Sequence, residues 1–415
     1  MRTKTLLLLA VAAFLPSARA AAQPFGPGGA AFRVNTYTSN YQDTPSIAFD
    51  ASGAFLVVWL SANEDGSTNG IYAQRYTAAS APAGPEFRVN TYTTHRQVSG
   101  HVVAGGAGAF TVAWESENQS SFSAVYAQRL LGGVPQGGEF RVDTTGSEYY
   151  VYPAIAADAP GNFVVVWAKS LGLAVDVFGQ RFQADGSALG GEFRVNAVTT
   201  GTQTRPAVAR AATGEFVVVW QEYGQLGGGT VNGRRFDAAG APLASDFRVD
   251  DGTGATQQTS VAVSPSGAFV VVWAENVGAA SIDVLARRYA AGGAPLTGSF
   301  RVNGSTTGNQ SYAKAAFGPD GGFVVVWKGG DGSGYGVFGQ RYAVDGSPLG
   351  GEFRVNRYTT GGQVTESVAY APSGDFVVVF AGVQGGSDYD VFAQRLCKGQ
   401  AGDVNASGTI DVADV

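Results

Sequence analysis

The chain has 415 residues, a formal net charge of −6, 14% charged and 12% aromatic residues, 60 glycines and one cysteine. The acidic balance argues against a nucleic-acid partner, and the single Cys397 excludes an internal disulfide framework. Two histidines, His95 and His101, leave little room for histidine-based metal or acid–base chemistry.

Residues 1–22 read as an export signal. Arg2 and Lys4 precede an apolar run from Leu6 to Leu15, and "SARA" follows as a small-residue cleavage site. The run is too short to span a bilayer, which takes about 20 residues, and no later segment is longer and as apolar. The expected location is outside the cell or on its surface, with no membrane span.

From residue 31 onward the sequence repeats. "FRVN" or "FRVD" begins at Phe32, Phe87, Phe140, Phe193, Phe247, Phe300 and Phe353, at intervals of 53–55 residues. An apolar run closes on Trp59, Trp114, Trp167, Trp220, Trp273, Trp327 and Phe380. A Gln-Arg or Arg-Arg pair ends at Arg75, Arg129, Arg181, Arg235, Arg288, Arg341 and Arg395.

Each repeat predicts four strands in chain order. Strand a is of the type "PSIAFD" (45–50) or "RPAVAR" (205–210), followed by a glycine turn. Strand b is "FVVVW", apolar at successive positions as a strand buried on both faces requires. Strand c is "VFGQRF", and after a Gly/Pro turn strand d is "EFRVN". Four antiparallel strands per ~50 residues, seven times over, predict a seven-bladed β-propeller.

The expected blades are roughly 42–90, 97–143, 149–196, 203–250, 257–303, 310–356 and 363–396. The last lacks its strand d, and the orphan N-terminal strand at 31–35 supplies it, closing the ring and removing exposed sheet edges. The propeller so defined covers 23–396, with a linker at 397–401 and a separate segment at 402–415.

Residues that recur in register serve what all blades share. The tryptophans are expected in the core. The arginines are expected as cross-strand partners of acidic or polar groups. The recurring Gln42, Gln97, Gln203, Gln310 and Gln363 are expected to bond backbone between blades. Function belongs where the blades differ, in the d-to-a and b-to-c loops on one face. Their Thr, Asn, Gln and Tyr residues suit a polyhydroxylated ligand, and Tyr37, Tyr92 and Tyr358 share one loop position. Acidic groups on those loops are Glu64, Asp65, Glu115, Glu117, Glu148, Glu222, Glu275 and Asp331, of which two could flank a glycosidic bond. No G-x-S-x-G, H-E-x-x-H or Walker motif is present.

The segment "GDVNASGTIDVADV" at 402–415 fits a calcium loop. Asp403, Asn405 and Ser407 fall at positions 1, 3 and 5, Gly408 at 6, Thr409 at 7, Asp411 at 9 and Asp414 at 12. It resembles the first half of a type I dockerin repeat, a family that also places Asp at position 12. The resemblance implies a Ca²⁺-dependent, EF-hand-like attachment module and a cohesin-type partner. A second calcium segment and the helix after Val415 would complete such a module. The repeats from about 30 to 396 also resemble units of secreted bacterial propeller proteins, which implies the fold and no particular activity. The leading expectation is a non-catalytic propeller that binds a polysaccharide or surface protein. The alternative is a polysaccharide-degrading hydrolase or lyase.

Overall fold

The computed structural model describes residues 25–398 apart from 107, 146–150, 173, 224–228, 253–255, 278–280, 331–333, 360 and 385–387. The expected signal (1–22) and calcium segment (402–415) lie outside the described residues. The described residues form strands and no helix. The first unit pairs Gln42–Phe49, Phe55–Ala62, Asn69–Tyr76 and Phe87–Arg88 in that order, antiparallel throughout. Later units repeat this order. An eight-stranded sheet divides into two such units, joined only by one parallel pair, Val175 with Thr202.

The last unit is completed from the other end of the chain. Phe25–Pro27 and Phe32–Arg33 both pair with Asp390–Lys398. The a strands sit side by side around an axis, and Gln363–Tyr370 of the last unit lies against Gln42–Phe49 of the first. The molecule is a closed β-propeller.

Why it closes is visible in the core. Seven apolar clusters lie between successive units, one per interface, including the interface of last and first. Each of the six tryptophans anchors one cluster, and Phe380 anchors the seventh. The strand b residues Val57, Val165, Val218, Val271, Val325 and Val378 are fully buried, because a propeller strand packs against a neighbouring unit on both faces.

Polar side chains lock neighbouring units together. Arg75, Arg129, Arg181, Arg235, Arg288 and Arg395 donate to carbonyls in the c-to-d turn of the following unit, Arg395 reaching Ala78 of the first. These arginines therefore act first as inter-unit clamps, beyond the cross-strand partnership with acidic or polar groups expected of them. Arg395 also pairs with Asp375 at 2.9 Å, and the arginines of the Phe-Arg pairs do meet acids, as Arg141 meets Asp143. The acid that precedes five of the seven Phe-Arg pairs works at the other face. Glu86, Glu139, Glu192, Asp246 and Glu352 accept backbone N–H groups from the loop that leaves the preceding unit.

Strand d is shorter than expected in most units. It spans Ala188–Arg194 and Pro348–Arg354 in two of them but only Phe–Arg in the others. The following Asn or Asp takes over the ladder's work. Its side-chain oxygen accepts a strand c N–H at 2.7–2.8 Å in every unit, from Asn35 with Val391 to Asn356 with Val337. The recurring loop glutamines also differ from expectation. Gln42, Gln97, Gln203 and Gln310 donate to carbonyls three residues back in their own loop, because that loop has no ladder of its own to satisfy them.

Candidate functional site at the mouth of the central channel

The innermost strands carry an irregularity that repeats around the ring. Strand a slips register against strand b between Asp43 and Ser46, Val98 and His101, Thr204 and Ala207, Gln257 and Ser260, and Ser311 and Lys314. At the slip one non-glycine residue takes a positive φ: Thr44 (50°), Ser99 (55°), Arg205 (50°), Gln258 (53°) and Tyr312 (55°), with Tyr152 (45°) at the same place in the third unit. Such backbone costs of order 1–3 kcal/mol per residue and persists only where the surroundings impose it. A bulge of this kind re-aims a side chain. Here it sits near the start of strand a, at the end that carries the d-to-a and b-to-c loops.

These residues line one cavity of about 430 Å³ on the propeller axis, together with strand a residues just below them. That volume falls in the range of ~300–1,000 Å³ usual for small-molecule sites. Chemically the rim is uneven. Tyr152 and Arg205 stack, the guanidinium carbon 4.9 Å from the ring centroid. Gln258 accepts the Tyr312 N–H at 2.8 Å. Lys328 lies 5.0 Å from the Tyr312 ring and 4.0 Å from that of Tyr335. Deeper in the cavity are His101, Lys314, Ser46 and Thr259. Burial, with the Lys314 charge adding to it, pulls the His101 imidazole down to about 4. Thr259 is 8% exposed and its hydroxyl has no hydrogen-bond partner.

The carboxylates singled out from the sequence go elsewhere. Glu115 is buried and accepts the Ser123 hydroxyl at 2.6 Å and the Val151 N–H at 3.3 Å. Glu275 accepts the Trp273 indole N–H at 2.8 Å. Glu117 pairs with Arg96 at 2.9 Å, and Glu222 accepts from Asn232 at 2.7 Å. Asp65 accepts the Ser67 N–H at 2.9 Å. Glu64 is pushed up to about 7, by burial first and by the neighbouring Glu86 and Asp65 charges. Glu148 and Asp331 lie outside the described residues. None of the described six lines the channel. Asp43, beside Thr44, accepts the Thr44 N–H at 2.8 Å, and burial raises it.

Tyr37, Tyr92 and Tyr358 occupy the d-to-a loops of three consecutive junctions, last-to-first, first-to-second and sixth-to-last. Tyr358 is 39% exposed and Tyr37 and Tyr92 are partly buried. Their carbonyls accept Nδ2–H donors of Asn35, Asn90 and Asn356, which fixes the loop, and none of the three lines the channel. Asp403, Asn405, Ser407, Thr409, Asp411 and Asp414 fall outside the described residues.

The rim is hard to see in the sequence because no single residue type is common to Thr44, Ser99, Tyr152, Arg205, Gln258 and Tyr312. One signal was there: Pro45, Pro153 and Pro206 directly follow rim residues, and proline inside a strand marks an edge or a bulge.

No family model matches the chain, and no curated protein does. Solved structures do share its fold. An ulvan lyase of polysaccharide lyase family PL25 aligns over 87% of this chain and 95% of its own, at 10% identity and a TM-score of 0.58. A protein of unknown function from Dyadobacter fermentans aligns over 90% and 98%, at 9% identity and 0.55. The propeller domain of the Trilobed protease from Pyrococcus furiosus aligns over 86% and 94%, at 8% identity and 0.51. At such identities the likeness is one of fold.

Proposed function

We propose that this propeller acts on polysaccharide outside the cell, and that the chain is engaged at the mouth of the central channel. The observation that carries this reading is the bulged rim. Scaffold positions repeat from unit to unit, whereas Thr44, Ser99, Tyr152, Arg205, Gln258 and Tyr312 are of five residue types, and all six meet on one cavity. Strained backbone around a pocket is a sign of a working site. Propellers of similar fold include ulvan lyases, one of them bound to a GlcA–Rha3S chain, which supports a carbohydrate role without fixing the substrate here. The rim also holds groups that can move protons, Tyr152, Tyr312 and His101, beside the cations Arg205 and Lys314.

A purely binding role is the second reading. It is favoured by Tyr37, Tyr92 and Tyr358, which fall on three consecutive junctions and offer flat apolar faces to sugar rings. The calcium-loop sequence at 402–415 fits both readings as an attachment module for a cohesin-type partner, with Ca²⁺ as its ion.

The test is a panel of soluble polysaccharides incubated with the whole protein, recording retention and released oligosaccharide. Product release that is lost in Arg205→Ala and kept in Tyr92→Ala supports an enzyme at the channel. Retention without product, weakened by Tyr92→Ala and not by Arg205→Ala, supports the binder. Neither retention nor product from any polysaccharide would sink both.

A further inference from the structure

Resting on the reading that the channel mouth engages polysaccharide, we infer that its substrate is a uronate-containing chain, cleaved by β-elimination and not by hydrolysis. Three observations point the same way.

The first is charge. The chain carries 33 acidic against 27 basic residues, yet the described lining holds Arg205 and Lys314 and no carboxylate. Lys328 adds a third positive charge behind Tyr312. Cations gathered around a concave site focus their field on an anionic ligand. Arg205 presents a planar fork that matches a carboxylate.

The second is the fate of the acids. Hydrolysis with paired carboxylates needs two of them about 5–10 Å apart around the scissile bond. Five of the six described loop acids are instead held by Ser123, Trp273, Arg96, Asn232 and Ser67, and the sixth, Glu64, lies beside Glu86 and Asp65 outside the channel lining.

The third is the Tyr152–Arg205 stack. In a uronate the carbon bearing the acidic hydrogen, C5, is one bond from the carboxylate. A carboxylate seated on Arg205 therefore brings C5–H toward the tyrosine ring 4.9 Å from that guanidinium.

The step balances without a co-reactant. The Tyr152 oxygen takes the C5 proton, the C–H electron pair forms the C4=C5 double bond, and the C4–O bond breaks. The departing oxygen takes a proton back from Tyr152. Arg205 and Lys314 hold the charge that builds on the carboxylate. No water is consumed, and one product end carries an unsaturated uronate.

The experiment uses the whole protein with alginate, polygalacturonate, sulfated carrageenan and dextran. Both ultraviolet absorbance of the conjugated double bond and reducing ends are followed. Absorbance should rise with a uronate polymer, in step with reducing ends. It should fall by about a hundredfold or more in Tyr152→Phe and Arg205→Ala, and Arg205→Lys should recover part of it, with thermal melts showing the variants folded. Reducing ends without absorbance, on any polymer, overturn the elimination and leave the polysaccharide reading standing. Retention of carrageenan alone, or of uronate chains without cleavage, also overturns it. Action on none of the four, with none retained, overturns both.

Discussion

Each unit carries at most one carboxylate at the contact between strands c and d, and this makes a sharp prediction. Where strand c has Asp176, Asp283 or Asp390, strand d answers with Asn196, Asn303 or Asn35, whose amide donates to that acid at 2.7–2.9 Å. Where strand d has Asp143 or Asp250, strand c has Ala124 or Thr230. The nearby Arg pairs with whichever acid is present.

The substitution Asn303→Asp keeps the acceptor for Val284 N–H but turns the 2.9 Å contact with Asp283 into two facing carboxylates. At an effective dielectric of 20, that separation corresponds to about 6 kcal/mol of repulsion if both ionise. Taking up a proton caps the loss, so about 3–4 kcal/mol is expected near neutral pH. The new pair's folded pKa is raised. Stability is therefore retained in acid and lost as pH rises through that value.

The control is Asn356→Asp, opposite Gly336, where the acceptor for Val337 N–H survives and only amide donors to Tyr358 and Gln363 are lost. It should cost about 1 kcal/mol. Urea unfolding midpoints of both variants at about pH 4 and about pH 8 decide the matter. Equal losses in the two variants, or a loss in Asn303→Asp that ignores pH, would refute the one-carboxylate reasoning.

Other outcomes follow from the same contacts. Glu64, pushed up to about 7, is held protonated by the fold, so its contribution is present in acid and lost as pH climbs toward that value. Allowing for its partial exposure, Glu64→Gln should stabilise by about 1–2 kcal/mol near pH 8 and by little near pH 5, read from thermal midpoints at the two pH values. His101, pulled down to about 4, resists protonation in the channel. Stability should therefore fall as pH drops from about 6.5 toward 4, and NMR titration of the imidazole should show no midpoint near 6.5. Arg395→Ala removes bonds to Ala78, Ser80 and Asp375 at the ring's closure, whereas Arg181→Ala removes one to Ala238. The first should cost about 2–3 kcal/mol and the second about 1, measured by denaturant midpoints. For the calcium loop proposed at 402–415, Asp403→Ala should weaken Ca²⁺ binding by more than about tenfold in a calorimetric titration, and a chelator should abolish it.

Much of the fold was legible because it is periodic. Trp59 and its counterparts, the FVVVW strands and the orphan strand at Phe32 each announced a repeated packing need, and the structure meets it. What the repeat could not convey was partnership. Arg75 and Arg235 look like ion-pair residues in sequence, yet their partners are carbonyls about 57 residues away in the next unit, where no side chain marks the spot. The channel rim was hidden for the opposite reason. A search for recurrence selects identical residues, and Thr44, Tyr152 and Arg205 coincide only in backbone conformation. Nothing in the sequence marks His101 out, yet its strand carries it to the axis.

Ring closure also sets a timetable for the molecule's birth. Asn35 must wait for Val391, 356 residues later, before its side chain finds the amide it caps. At a synthesis rate of ~5–20 residues per second that wait is roughly 20–70 s. Through it, the first unit shows one flank with no neighbour, leaving Trp59 and Phe55 uncovered until Val377 and Val379 arrive. The most hazardous interval for this chain is thus its own elongation. A nascent copy has a ready alternative in the flank of another nascent copy. Whatever keeps ribosome-bound or exported chains apart until the last unit docks does as much for this protein as any contact in its finished core.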